Sequence, residues 1–137
     1  MGVTGRIQLF PAGEFAARDG RPGRLEGVSA RCWRCTAEDA AGLMDDWRQK
    51  KSHTVIDYEH QTLHAEKNGQ PAPAAGWIVE LVWEEGRGLF AAVEWTERAR
   101  EYIRAGEYKY ISPTFCFDPK SGAVARLVSA ALTNTPG

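Results

Sequence analysis

Two neighbouring stretches in the middle of the chain alternate between hydrophobic and polar positions. The hydrophobic positions are Trp77, Val79, Leu81 and Trp83 in the first, and Leu89, Ala91, Val93 and Trp95 in the second. Residues 85–88, with Gly86 and Gly88, separate them. A period of two is typical of strands with one buried face, and a short glycine-containing turn joins such strands into a hairpin. The pattern therefore predicts a β-hairpin with one buried face.

Further strands are predicted where β-branched and aromatic residues cluster, as is typical of β-structure. These segments are residues 7–10, 31–35, 53–60, 108–117 and 124–132. In contrast, residues 11–30 and 61–73 are rich in glycine, proline and polar side chains, and we expect exposed connections there. About six or seven strands result.

Two other segments have hydrophobic residues at helical spacing. The first begins at Thr36, whose hydroxyl can cap a helix, and runs to about Lys50. The second begins after Thr96 and ends at Gly106. A chain of 137 residues is long enough for one compact domain and too short for two ordinary ones. We therefore predict a single α+β domain over residues 1–137, with a mostly antiparallel sheet and about two packed helices.

The charge and hydropathy of the chain exclude several classes of partner. Lysine and arginine together number 17 and aspartate and glutamate 18, for a net charge of -1, whereas nucleic-acid binding usually requires a basic surface. The sequence has no apolar run of the roughly 18 residues that a membrane span needs. Residues 1–5 also lack the layout of a signal peptide. We expect a cytosolic protein without nucleic-acid or membrane partners.

Cys32 and Cys35 form a C-x-x-C motif, which redox sites and zinc sites share. A zinc site needs about four ligands, and the chain offers only Cys116 and three histidines besides this pair. The alternation of residues 31–35 instead predicts a strand with the two cysteines on opposite faces. We therefore interpret both cysteines as structural.

All three histidines lie close to Asp57 and Glu59 in one short segment. One hypothesis is a metal site formed by His53, His60 and His64. Their spacing matches no usual zinc pattern, and His60 with His64 would need a helix where the sequence predicts a strand and a loop. The other hypothesis is acid–base chemistry, in which a histidine takes a proton from a hydroxyl nucleophile on a distant segment.

Ser112 is the candidate nucleophile, because it places a small hydroxyl among the bulky apolar residues of a predicted strand. A serine in a strand is more often only a small residue that the fold tolerates. The residues alone leave both interpretations open.

Four segments, taken in order, resemble the Mu-like prophage I protein family. They are VIDYEHQ from Val55, AAGWI from Ala74, YKYISP from Tyr108 and ALTNTP from Ala131. Members of that family are phage head proteases fused to a scaffold. The succession of a strand ending in histidine, a hairpin, a helix and a strand carrying serine is also similar to tailed-phage prohead proteases and herpesvirus assemblins.

The resemblance implies an assemblin-like fold, with a mostly antiparallel β-barrel or curved sheet. It implies a serine endopeptidase without cofactor, in which His60 is the general base and Ser112 the nucleophile. The implied substrates are the phage scaffold, the major head protein and the enzyme's own chain, inside the assembling prohead in the bacterial cytoplasm. A family member continues past Gly137 into a scaffolding region, and homo-oligomerisation stays open.

Four residues are candidates for the group that orients His60. Assemblins have a second histidine after the serine, which this chain lacks. Prohead proteases often have an acidic residue in their last strand, where Ser129 stands here. Asp57, Glu59 and His64 are nearer along the chain. We predict Asp57, because it carries a full charge at the end of the predicted strand, where a bulge can turn it inward.

Pro113 constrains the oxyanion hole, because proline has no N–H to donate from the position after the nucleophile. Assemblins use a backbone N–H and a water held by an arginine on a separate loop for this task, and that resemblance makes Arg126 a candidate for the arginine. Two other functions stay open. One is a scaffolding or structural module of the same fold that only binds capsid subunits, and the other is a metal-dependent hydrolase that uses the three histidines.

Overall fold

The computed structural model describes residues 3–17, 21–23, 25–50 and 53–135 and confirms an α+β fold. The strands in this part of the chain are β1 (Val3–Pro11), β2 (Gly13–Phe15), β3 (Trp33–Cys35), β4 (Thr54–Tyr58), β5 (Gly76–Glu84), β6 (Gly88–Trp95), β7 (Tyr110–Phe117) and β8 (Val124–Thr133). The helices in the same part are α1 (Ala37–Gln49), α2 (Gln61–Asn68) and α3 (Glu97–Arg104).

Six of these strands form one curled sheet in the order β1-β6-β5-β4-β8-β7. Neighbouring strands run antiparallel, except β4 and β8, which are parallel. The sheet curls until its two edge strands approach each other. The rings of Phe10 in β1 and Phe115 in β7 meet edge to face, with 4.9 Å between their centroids. The mostly antiparallel curved sheet expected from the sequence is therefore confirmed.

The predicted hairpin consists of β5 and β6, and one of its strands departs from strict alternation. A bulge between Ile78 and Glu80 inserts one extra residue into β5, which shifts the buried side of the strand. Ile78 and Leu81 are consequently both buried, whereas Trp77 is 40% exposed. The hairpin is confirmed, and the expectation that Trp77 belongs to its buried face is wrong.

Helix α1 begins where the sequence predicts, because two residues cap its first turn reciprocally. The hydroxyl of Thr36 accepts from the backbone N–H of Asp39 at 3.1 Å, and the Asp39 carboxylate accepts from the backbone N–H of Thr36 at 3.0 Å. Leu43, on the predicted apolar face, is fully buried. Helix α3 likewise begins after Thr96, whose hydroxyl accepts from the backbone N–H of Ala99.

Two of the predicted connections contain regular structure instead. Residues 61–73 were expected to be a loop, which is wrong, because α2 occupies most of the segment. The residue at its N-cap position, His60, makes no side-chain capping bond, so the usual signal of a helix start is missing from the sequence. Strand β2 lies within residues 11–30 and pairs with β3. The strand predicted over residues 53–60 is shorter, because β4 ends at Tyr58.

The cysteines of the C-x-x-C motif are free thiols. Cys35 is fully buried in β3, and this burial raises the pKa of its thiol to about 12. A thiol with so high a pKa is protonated at neutral pH and is a poor nucleophile or metal ligand. The structural interpretation of this motif is supported.

Gly88 begins β6 at a point where β1 passes very close to the backbone. Its φ is 135°, and a Cβ atom there would overlap the carbonyl oxygen of Phe10. We predict that Gly88→Ala lowers the free energy of unfolding by about 3 kcal/mol or more, because the obstacle is backbone and cannot rotate away. Urea unfolding followed by tryptophan fluorescence measures this loss.

Gly86 in the same turn provides the matched control. Its φ is 78°, and no described atom lies within 4 Å of the Cβ position, so Gly86→Ala should cost only about 1 kcal/mol for the left-handed backbone. Equal losses in the two variants would show that the contact with β1 has no part in the effect.

Candidate active site

The turn after β4 has an unusual backbone conformation. Glu59 and His60 have φ angles of 56° and 58°, a left-handed region that residues other than glycine seldom occupy. Two hydrogen bonds hold the turn. The Asp57 carboxylate accepts from the backbone N–H of Thr62 at 2.9 Å, and the backbone N–H of Glu59 donates to the carbonyl of Leu132 at 3.0 Å. The turn is thus tied to both β4 and β8, and it carries His60 out of the strand.

Four polar side chains share one face of the sheet beside this turn. Asp57 in β4 lies beside Ala131 in β8, and Ala131 lies beside Ser112 in β7. Laterally paired residues point to the same face, and adjacent strands are about 4.8 Å apart, so the backbones at Asp57 and Ser112 are about 10 Å apart. Thr114 and Ser129, which form another pair, point to this face as well.

A cleft of about 640 Å³ opens beside β7. His60, Ser112, Thr114 and His64 line it, together with the cationic Arg21 from the connection between β2 and β3. Its apolar lining residues are Ala17, Leu25, Trp33, Leu63, Pro113, Phe115 and Phe117. An apolar cleft with a few convergent polar groups is the usual form of a small binding or catalytic site.

Within the cleft, the imidazole of His60 makes a polar contact with a threonine. The ring nitrogen Nδ1 of His60 lies 3.2 Å from Oγ1 of Thr114. Ser112 lines the same cleft, and among the described residues no hydrogen bond joins it to His60. Sequence reasoning places Ser112 and His60 in one site, and it misses Thr114, which stands two positions after Ser112.

The start of β7 is anchored by the segment that follows β8. The side-chain amide of Asn134 donates to the carbonyl of Glu107 at 2.7 Å, and its oxygen accepts from the backbone N–H of Lys109 at 3.1 Å. A single asparagine thereby bridges the chain just before β7 and fixes the position of the strand that carries Ser112.

The remaining candidates occupy different surroundings. Arg126 forms an ion pair with Asp46 of α1, with 3.5 Å between nitrogen and oxygen, and it does not line the cleft. Ser129 is buried, and in the described part of the chain its hydroxyl has no hydrogen-bond partner.

The described residues contain no cluster of three or more histidine, cysteine or acidic side chains that could hold a metal ion. None of the described helices is long and apolar enough to cross a membrane.

Comparison with known proteins assigns the family. The family model for the N-terminal domain of the Mu-like prophage I protein matches residues 7–137. The chain belongs to the Mu-like prophage I protein family. This agrees with the resemblance of its four sequence segments, all of which lie within the matched range.

Two relatives of known source match over almost the whole chain. One is the protein named Protease I of Escherichia phage Mu, which is 42% identical over 137 residues and aligns with 97% of this chain. The other is the Mu-like prophage FluMu I protein of Haemophilus influenzae, 36% identical over 138 residues and 95% of this chain. The alignment spans 37% of the length of each relative. No solved structure matches the chain.

Asp57 provides the cap that α2 otherwise lacks, and its substitution should therefore affect stability. We predict that Asp57→Ala lowers the free energy of unfolding by about 1 to 2 kcal/mol, because the N–H of Thr62 loses its acceptor. Asp57→Asn should cost less, since the amide oxygen can still accept this bond. Urea unfolding of both variants is the measurement, and an Asn variant no more stable than the Ala variant would contradict the capping role.

Proposed function

We propose that this chain is the serine endopeptidase domain of a phage head-maturation protease. The observation that carries the proposal is that Ser112 and His60, which come from distant segments, line one cleft. The name of the Mu relative, Protease I, supports a protease. Ser112 is the proposed nucleophile and His60 the proposed general base.

The proposed reaction is acyl transfer. His60 takes the proton of the Ser112 hydroxyl, and the serine oxygen attacks the carbonyl carbon of a peptide bond to form a tetrahedral intermediate. Protonated His60 gives its proton to the leaving amine, and an acyl-enzyme remains. Water, activated by the same histidine, then releases the acid product and restores the serine. The contact between nucleophile and base often tightens only when substrate is bound, which is consistent with their separation in this structure.

Asp57 stays in the proposal as a positioning residue. Its carboxylate is fully buried next to the turn that carries His60. One of its oxygens accepts a hydrogen bond from the backbone N–H of Thr62. It can therefore influence the orientation of the imidazole through the backbone of this turn.

The proposed substrates are proteins of the phage head interior. They include the scaffold, the major head protein and the enzyme's own chain, cleaved inside the assembling prohead in the bacterial cytoplasm. The apolar lining of the cleft favours peptide segments with apolar side chains next to the scissile bond. None of the described residues that line it is acidic.

We predict that Ser112→Ala abolishes cleavage of casein and of a precursor that contains this domain, because it removes the nucleophile. His60→Ala should be about as damaging, and the double variant little worse than either, since nucleophile and base act as one unit. A fluorophosphonate probe, which reacts with activated serines, should label wild type at Ser112, with the site read by peptide mass spectrometry.

The competing functions give different results in the same assays. Additive losses would mean that Ser112 and His60 do not act together. Cleavage by Ser112→Ala at the wild-type rate would refute the assignment of Ser112 as the nucleophile. Chelators should leave the rate unchanged, whereas one zinc per chain, lost together with activity, would favour a hydrolase that uses His53, His60 and His64. Absence of all cleavage and labelling would favour a scaffolding module.

A further inference from the structure

His60 has a partner at Nδ1 that the sequence patterns do not indicate. The 3.2 Å contact joins this nitrogen to Oγ1 of Thr114 in β7. A threonine hydroxyl can donate or accept, and a neutral imidazole has one donor nitrogen and one acceptor nitrogen. The direction of the bond therefore decides which nitrogen is free to act as a base.

The chemistry of the proposed base fixes that direction. Nδ1 is occupied by Thr114, so Nε2 is the nitrogen left for Ser112. To take a proton, Nε2 must carry the lone pair, and Nδ1 must then carry the hydrogen. In this tautomer Nδ1–H donates and the hydroxyl oxygen of Thr114 accepts.

The strand geometry allows both hydroxyls to meet one ring. Ser112 and Thr114 are two positions apart in β7 and point to the same face, with about 6.6 Å between their backbones. An imidazole that approaches from the turn after β4 fits between two groups at this separation. One short strand can thus present the nucleophile to one side of the ring and a hydrogen-bond acceptor to the other.

In the described part of the chain, no other candidate for this task forms a hydrogen bond with the ring nitrogens. Asp57 uses one oxygen for the N–H of Thr62, and its other oxygen has no hydrogen-bond partner within the described chain. Ser129 also has no partner there. No hydrogen bond from Glu59 or His64 to the imidazole is present among the described residues.

We infer that Thr114 is a positioning residue, whose hydroxyl oxygen accepts from Nδ1–H of His60 and so keeps Nε2 available as the base for Ser112. This inference rests on the proposed function. Unlike a carboxylate, the hydroxyl brings no full charge, and its contribution is the choice of tautomer and the orientation of the ring. An incorrect tautomer can cost about 10⁴-fold in an established triad.

The test uses Thr114→Val, which keeps the shape of the side chain and removes the acceptor. With the fluorophosphonate probe, we expect the maximal rate of Ser112 modification to fall about 10²-fold, the size typical of a lost acid–base alignment, and the half-saturating probe concentration to change less than threefold. Thr114→Ser, which restores a hydroxyl, should recover most of the rate. Ser129→Ala is the matched control, because it deletes a hydroxyl that is paired laterally with Thr114 and that has no hydrogen-bond partner in the described part of the chain.

A second readout follows the tautomer without any reaction. Two-bond ¹H–¹⁵N correlation spectra distinguish a ring protonated at Nδ1 from one protonated at Nε2, and the His60 signals are identified by their loss in His60→Ala. In wild type with a neutral His60 we expect the Nδ1–H form. In Thr114→Val we expect a mixture with the Nε2–H form, and Thr114→Ser should resemble wild type.

The outcomes separate the two proposals. An unchanged His60 tautomer and an unchanged modification rate in Thr114→Val would overturn the role of Thr114 and leave Ser112 and His60 in place. A collapse in Ser129→Ala with no loss in Thr114→Val would also overturn it and assign the role to Ser129. Probe attached to Thr114 in place of Ser112 would make Thr114 the nucleophile and refute both the inference and the assignment of Ser112.

Discussion

The hydrogen bond from the backbone N–H of Thr62 to the Asp57 carboxylate is the constraint on which the cleft depends. Glu59 and His60 both have positive φ, which costs an L-residue roughly 1 to 2 kcal/mol. The bond offsets part of this cost, because it satisfies an N–H at the start of α2 that the helix itself leaves unpaired. Without the turn, β4 would continue, and alternation would place His60 on the face opposite Asp57. The buried carboxylate of Asp57 thus stabilises a turn that ends β4. This turn brings the His60 imidazole over the face of the sheet to which Asp57 points.

The register of three strands then decides what this face contains. β8 is parallel to β4 and antiparallel to β7, and it aligns Asp57 with Ala131 and Ala131 with Ser112. Ala131, which lies between them, is fully buried and carries only a methyl group. The period of two along β7 brings a second hydroxyl, that of Thr114, to the same face. The sequence shows this spacing as Ser-x-Thr. It could have indicated Thr114 if the position of the His60 ring had been known.

Local patterns predicted those elements whose signals lie inside their own sequence. α1 has its capping residues Thr36 and Asp39 in place, and the hairpin has its alternation and its glycines. α2 was missed because its capping carboxylate belongs to the preceding strand and because no buried hydrophobic residue marks one of its faces. The bulge in β5 is a product of pairing with β6 and has no local signature. The candidate nucleophile and base could be predicted, whereas the contact at Nδ1 depends on tertiary structure.

Pro113 shows how the edge position of β7 shapes the rest of the site. Proline is tolerated in an edge strand, where no neighbour requires its N–H, and β7 is the last strand of the described sheet. The same residue removes a donor from the position after Ser112, so an oxyanion at this serine must be stabilised from other segments. Arg126 points to α1, and Arg21 is the arginine that lines the cleft among the described residues. The residues that line the cleft therefore come from the turn after β4, the edge strand and the connection between β2 and β3, among other segments. That connection belongs to the part of the chain with the weakest sequence patterns, which is why the sequence indicates a candidate nucleophile and a candidate base but no group to stabilise an oxyanion.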